Sequence, residues 1–252
     1  MKGKNPVFVS LYYFYSSLAN DFHWNIFSYL RGIIWYFRDL TRLMKSKGLS
    51  NIGEIRLVPF LSDKTEYTKV EPIYFFQDLW ASQKILKDKP KVHYDIASSY
   101  KTIGILSRFV PCVFVDIRPP DVKVDNLKFM KGSVLNLPFK KGSINSLSSL
   151  CVIEHIGLGR YGDEIDMQGS EKAARELQRV ILRNGNLYLS VPVDEENRIY
   201  FNAHRAFTRK CLLSLFNQCR LVDESYVYGK KLFKKYDRNK GFGTGLFHFK
   251  KM

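Results

Sequence analysis

From residue 92 onward the chain alternates short apolar runs with amphipathic stretches, and that alternation leaves few folds open. The runs VHYDIA (92–97), CVFVDI (112–117), LKFM (127–130), SINSLSSLCV (143–152) and NLYLSVPV (186–193) have the length of buried strands, and Gly, Pro, Asp or Lys clusters bound each of them. Between the last two lies SEKAARELQRVILRNG, which predicts a helix capped by Ser170 and ended by Asn184-Gly185. Strands alternating with helices predict an α/β, Rossmann-like, doubly wound and mainly parallel sheet covered on both faces. TRKCLLSLFNQC, LVDESYVY and GTGLFHFKK then predict a last helix and two closing strands.

Residues 1–72 read differently, as an N-terminal helical extension and linker ahead of a Rossmann-like domain over 73–252. Within 22–47, Phe27, Leu30, Ile34, Phe37 and Leu40 form one stripe, with Arg31, Arg38, Arg42 and Lys45 available to the other side and Gly48 as a stop. A basic, aromatic helix of this kind lids a neighbouring domain or makes peripheral contact with an anionic membrane, and the lid is the commoner use of the pattern. A linker with the turn residues Asn51, Gly53, Pro59 and Asp63 leads to YFFQDLWASQKILKD, a second amphipathic helix. Lys2 and Lys4 ahead of VFVSLYYFYSSLA imitate a signal peptide. No small-residue cleavage site follows, however, and the uncharged run up to Asp21 is too short and too polar to span a bilayer. It reads as packed protein.

Composition narrows the classes further. With 45% hydrophobic and 15% aromatic residues the chain can bury a core, which excludes wholesale disorder. A net charge of +16 favours acidic partners: phosphate, nucleic acid, anionic glycan or a membrane surface. Cys112, Cys151, Cys211 and Cys219 show no metal-ligand spacing, so the reading is reduced thiols in a cytoplasmic protein, without a metal or a disulfide framework. The basic segment 229–245 reads first as a solvated loop and second as a grip for phosphate or polyanion.

The stretch from Gly132 to Asp163 carries the chemistry. It holds a turn, an apolar strand and then Glu154-His155 where that strand ends, the edge at which wound α/β sheets bind ligands. The order of pieces resembles class I S-adenosylmethionine-dependent methyltransferases over residues 90–250. Asp95 matches the acid ending the family's first strand, Asp116 the ribose-binding acid of the second, Gly132-Ser133-Val134 through Leu137-Pro138-Phe139 the third element, and Glu154-His155 the fourth. Asn184-Gly185-Asn186-Leu187-Tyr188 after the helix matches the family's glycine turn. Within the superfamily the chain is most similar to an uncharacterised methyltransferase-like group. Its marks are Y-F-x-Q-D-L-W (Tyr74 to Trp80), E-H-I-G-L-G-R-Y-G-D (Glu154 to Asp163) and F-N-A-H-R (Phe201 to Arg205). Members resemble enzymes of surface-glycan and small-metabolite pathways.

The resemblance implies S-adenosylmethionine as cofactor, held by Asp95, Ala97, Ser98, Ser99, Asp116, Ile117, Ser133 and Val134. Two positions depart from the family. Its glycine loop reads here Ala97, Ser99 and Lys101, tolerable at the first two if φ stays negative, and the adenine-binding acid is replaced by Ser133. His155 or His204 is the expected general base, beside Glu154, because imidazole titrates near neutrality. Each has a plain structural alternative. Arg160, Tyr161, Asp163 and Arg205 are expected to hold an acceptor, since Arg suits carboxylate or phosphate and Tyr stacks on rings; the alternatives are that Arg160 and Asp163 brace one another, that Arg205 braces, and that Asp95 braces its loop.

Two functions follow. One is a methyltransferase acting on an oxygen of a sugar, glycan precursor or other anionic small molecule. The other is a catalytically inactive, methyltransferase-like binding or partner subunit with a degenerate cofactor loop. Nucleic-acid methylation rests on the net charge and the basic segment 229–240, and no recognition module supports it. Oligomeric state is not written in the sequence.

Overall fold

The computed structural model describes residues 26–46, 55–61, 63–68 and 70–252. The leader-like run before Asp21, the ends of the 22–47 helix, Gly48, Asn51 and Gly53 lie outside the described residues. Two compact units divide the chain, Met1–Lys69 and Val70–Met252. In the first, helix α1 spans Ile26–Met44, and its Asp39 accepts a 2.8 Å bond from Lys64. The second begins just ahead of Glu71, whose carboxylate accepts the Tyr74 N–H at 3.0 Å and caps helix α2 (Pro72–Asp88). The cap therefore belongs with its helix, a little before the boundary at residue 72 that composition marks.

The strands of the second unit are β1 (His93–Ile96), β2 (Cys112–Asp116), β3 (Leu127–Lys131), β4 (Ile144–Leu150), β5 (Ile181–Val193), β6 (Arg198–Tyr200), β7 (His204–Ala206), β8 (Cys219–Tyr228), β9 (Lys231–Phe233) and β10 (Gly243–Lys251). Eight of them form one sheet in the order β3-β2-β1-β4-β5-β10-β8-β9, and β6 pairs with β7 as a separate hairpin. β1 to β5 run parallel, while β10 inserts antiparallel between β5 and β8. From β1 the chain winds outward to β3 and then returns to β4 on the other side. That reversal opens a crevice at the carboxyl ends of β1 and β4.

Alternation along β5 sorts side chains onto two faces. Leu187, Leu189, Val191 and Val193 pack with Ala173, Leu177 and Val180 of helix α4 (Gly169–Val180) and with Leu212 of helix α5 (Arg209–Leu215). Tyr188 and Leu246 pack on the other face with Trp80 and Ile85 of α2 and with Ile103 and Leu106 of helix α3 (Tyr100–Leu106). Both faces are covered, as the sequence pattern predicts for a doubly wound Rossmann-like sheet.

Two local expectations are corrected. Ser170 does not cap α4, which starts behind Gln168. Its hydroxyl donates at 2.6 Å to the carbonyl of Ile153, a buried acceptor at the end of the β4 turn that needs a donor. Nor does Asn184-Gly185 end that helix. The helix stops at Val180, and Ile181 already pairs with Ile144, because burial in the sheet outweighs one more helical turn. Asn184, at φ 64°, instead carries a bulge across which the register moves from Ile144↔Ile181 to Ser146↔Asn186.

Candidate active site

The turn after β1 is built from beneath. Asp95 is fully buried: one carboxylate oxygen accepts the Ser98 N–H at 3.0 Å and the other accepts the hydroxyl of Ser148. Ser148 also meets His93 Nε2 at 2.8 Å, and His93 Nδ1 meets Ser146 at 2.8 Å. Burial raises the Asp95 carboxyl to about 6 and lowers His93 to about 3, so His93 is a neutral partner in this relay. Ser98 Oγ accepts the Leu150 N–H at 2.9 Å, and Ser99 Oγ accepts the Thr102 N–H at 3.4 Å as the cap of α3. Asp95, Ser98 and Ser99 thus fix the loop, and Ala97 alone of the expected loop contacts lines the cleft. Ala97 sits at φ 54°, in the left-handed region and not at the negative φ that the substitution was expected to need. Lys101, bulky where the family has glycine, is exposed on α3 and lies outside the cleft lining.

The cleft holds about 250 Å³ at the switch point. Asp116, Ile117 and Arg118 line it from the end of β2, and Gly132, Ser133 and Val134 line it after β3. One Asp116 oxygen accepts the Arg118 N–H at 2.7 Å, which turns the chain at the end of β2. Ser133 Oγ accepts the Leu135 N–H at 3.2 Å.

Beyond β4, Cys151 takes φ 54° and Ile153–His155 form one tight helical turn. Glu154 is driven inward, 1% exposed, with Oε2 lacking any partner among the described residues. Burial lifts its carboxyl to about 8, against the opposing pull of Cys151 and Arg160, so it is protonated at neutral pH. His155 lies on the cleft wall. Its Nδ1 is 2.6 Å from the carbonyl of Ala203, which can only accept, so Nδ1 carries the proton and Nε2 the lone pair. Burial holds the ring below its ordinary pKa despite that carbonyl. Glu154 Oε1 is 3.8 Å from His155 Nε2, and with both groups neutral this is neither an ion pair nor a hydrogen bond.

His204 stands 6.4 Å from His155, ring to ring, and packs against Tyr200 and Phe242, which also touch each other. Burial pushes it to about 4, and it is not part of the cleft lining. The two histidines are neighbours, as the sequence suggests, but one faces the cleft and the other backs it. The loop after β4 divides the same way. Arg205, 6% exposed, donates to the carbonyls of Ile156 and Asp166 and to Ser170, and Asp163 accepts the N–H groups of Gly157 and Tyr161. Both brace the loop, although Asp163 also reaches the cleft wall. Gly157 is irreplaceable there, since at φ 79° an added Cβ would stand 2.1 Å from the Asp166 carbonyl oxygen. Arg160 does not pair with Asp163; it donates to the Ala203 carbonyl at 3.2 Å. The Tyr161 ring lines the cleft, and the Arg160 and Arg118 guanidinium groups lie 5.3 and 5.4 Å from its centre; Arg160 itself is outside the lining.

Sequence reasoning missed Arg118, Cys151 and Gln77. Gln77 Oε1 accepts from Ser190 Oγ at 2.6 Å and from Cys151 Sγ at 3.2 Å, tying α2 to the ends of β4 and β5 under the cleft. Asp78 accepts from Thr102 at 2.6 Å, and Trp80 packs edge-on against Tyr188. The Y-F-F-Q-D-L-W string was the available signal for this strut. Among the described residues, no cluster of His, Cys, Asp and Glu is arranged to hold a metal ion.

A family model described as Caenorhabditis protein of unknown function, DUF268, matches residues 134–229, which include the Glu154 and Phe201 motifs but not the Tyr74 one. No curated protein matches the chain. Solved structures do. A 1,6-didemethyltoxoflavin-N1-methyltransferase from Burkholderia thailandensis is 15% identical over 75% of this chain and 93% of its own, with a TM-score of 0.52. The N-methyltransferase NodS from Bradyrhizobium japonicum WM9, bound to S-adenosyl-l-homocysteine, is 11% identical over 86% of this chain and 98% of its own, also at 0.52. The [4+2]-cyclase SpnF is 10% identical over 69% of this chain and 81% of its own, at 0.51. The fold is that of the class I methyltransferases, a Rossmann-like sheet with an antiparallel strand inserted near one edge.

Proposed function

We propose that the chain is an S-adenosylmethionine-dependent methyltransferase whose acceptor is an oxygen of a small anionic molecule such as a sugar derivative or glycan precursor. The observation that carries this reading is His155, which lines the same cleft as Asp116, with its Nδ1 proton held by the Ala203 carbonyl so that Nε2 carries the lone pair. The residues present suit the cofactor. Asp116 offers a carboxylate to ribose hydroxyls, Ser133 offers a hydroxyl, and Ile117 and Val134 give apolar walls for a flat ring. Bound there, the cofactor would supply an electrophilic methyl group.

The chain's own contribution is positioning and proton transfer. His155 Nε2 accepts the hydroxyl proton as the acceptor oxygen attacks, and the Ala203 carbonyl stabilises the imidazolium through Nδ1–H. Glu154, protonated beneath, keeps the floor neutral. Arg118 on the cleft lining and Arg160 just outside it, both beside the Tyr161 ring, offer the cleft rim an anion site. Arg205 and Asp163 hold the loop that carries them. The inactive-subunit reading draws on the substituted loop and on Ser133, but Ser99 and Lys101 lie outside the cleft lining and the backbone at Ala97 keeps a glycine-like shape despite the side chain.

Methyl transfer from labelled cofactor to a panel of hydroxylated, anionic acceptors, beginning with nucleotide sugars, tests the proposal. Transfer to a carboxylated or phosphorylated acceptor, weakened mainly in KM by Arg118→Ala or Arg160→Ala, is the expected result. Transfer indifferent to both substitutions contradicts the anion site.

A further inference from the structure

Helix α1 carries a feature that cleft chemistry does not use. Its back is occupied: Gly32 is buried against Leu61, so close that a Cβ would meet the Leu61 carbonyl oxygen at 2.7 Å, and Asp39 is bonded to Lys64. Its front is not. Leu30, Ile34 and Phe37 follow one another at i, i+4 and i+7, with Met44 two turns further along the same row, and they are 52%, 67%, 57% and 58% exposed. Among the described residues of its own unit nothing covers this stripe.

The next row round the helix is cationic. Arg31, Arg38 and Lys45 each follow a residue of the apolar row, Arg42 lies one turn after Arg38, and all four are exposed. The single acid of the helix, Asp39, lies on the back and is held by Lys64, Arg38 and Arg42. In the segment packed behind the helix, Leu57, Val58 and Phe60 are exposed as well. An aliphatic and aromatic stripe edged by long cationic side chains fits one kind of surface in particular: an apolar layer under a sheet of negative charge. The stems of Arg and Lys can lie along the apolar boundary while their heads reach phosphate.

We propose that α1 docks the protein on an anionic lipid surface, with Leu30, Ile34, Phe37 and Met44 inserted at the headgroup boundary and Arg31, Arg38, Arg42 and Lys45 on lipid phosphates. The helix lies in the interface and does not cross it; no described helix is long and apolar enough to span a bilayer. The proposal is independent of the cofactor cleft.

Full-length protein is sedimented with vesicles of phosphatidylcholine alone and of phosphatidylcholine containing phosphatidylserine. Binding to the anionic vesicles that weakens with added salt is expected. Arg31→Gln with Arg42→Gln should lower affinity about fivefold per cation removed. Ile34→Asp with Phe37→Asp should lower it by at least about tenfold. Unchanged circular dichroism and Tm in both variants separate loss of docking from loss of folding. No binding to anionic vesicles, equal binding to neutral ones, or binding unaltered by both pairs of substitutions overturns the proposal. A dimer in solution that the Ile34/Phe37 pair dissolves also overturns it, by giving the face to a second copy of the chain.

Discussion

Ala97 adopts a backbone conformation that glycine adopts freely and alanine resists, and it does so on the wall of the cleft. A side chain in the left-handed region costs about 1–2 kcal/mol, partly recovered because alanine restricts the unfolded chain more than glycine does. Ala97→Gly should therefore raise stability by up to about 1 kcal/mol, seen as a higher urea midpoint. If the same substitution greatly strengthens cofactor binding, the loop has decayed; if it weakens binding, the alanine is a working variant. His155→Ala should lower turnover by about 10²–10⁴-fold, the usual worth of a positioned base. His204→Ala should cost much less, because that ring supports His155 from behind. Glu154 adds a pH signature. Its folded pKa of about 8 lies above its unfolded value, so the folded state binds the extra proton and stability falls as pH rises through that interval. Glu154→Gln should flatten that fall and raise Tm at pH 8 relative to the parent, checked by thermal melts across pH. Asp116 and His155 were legible as strand-end residues, and bracing was one of two readings open for Arg205 and Asp95, but their partners were not legible. Arg205 meets its carbonyls some forty residues away in sequence, and Asp95 meets Ser148 across the sheet. Contacts of that range leave no local pattern.

The loop from Ile156 to Gln168 is the element that holds the acceptor-side residues. Its shape depends on the close approach of Gly157 to Asp166 and on the Arg205 guanidinium clamped to two of its carbonyls. Gly157→Ala places a methyl group into backbone at a left-handed φ and should destabilise the protein by about 2 kcal/mol or more, measured by urea unfolding. The glycines of this loop were readable as a bend, and the Tyr74–Trp80 string as a marked helix. What that helix does, bridging Ser190 and Cys151 through Gln77, appears only when β4 and β5 are neighbours. The misread Asn184-Gly185 has the same origin: a left-handed asparagine ends a helix or bulges a strand with equal ease, and pairing of Ile181 with Ile144 decides.

At the scale of the whole molecule, strand alternation alone predicts the wound sheet, because burial on both faces demands near-continuous apolar runs whatever the function. The same fold serves N-methyltransferases and a cyclase among the similar structures, so function has to be argued from the cleft. The central claim is that this cleft binds S-adenosylmethionine through Asp116. Calorimetric titration of the folded protein with S-adenosylmethionine and S-adenosylhomocysteine, repeated with Asp116→Ala, tests it most directly. Micromolar binding of both ligands to the parent, weakened at least about tenfold in the variant, is the predicted result. Absence of binding by the parent, or binding that Asp116→Ala leaves intact, contradicts it.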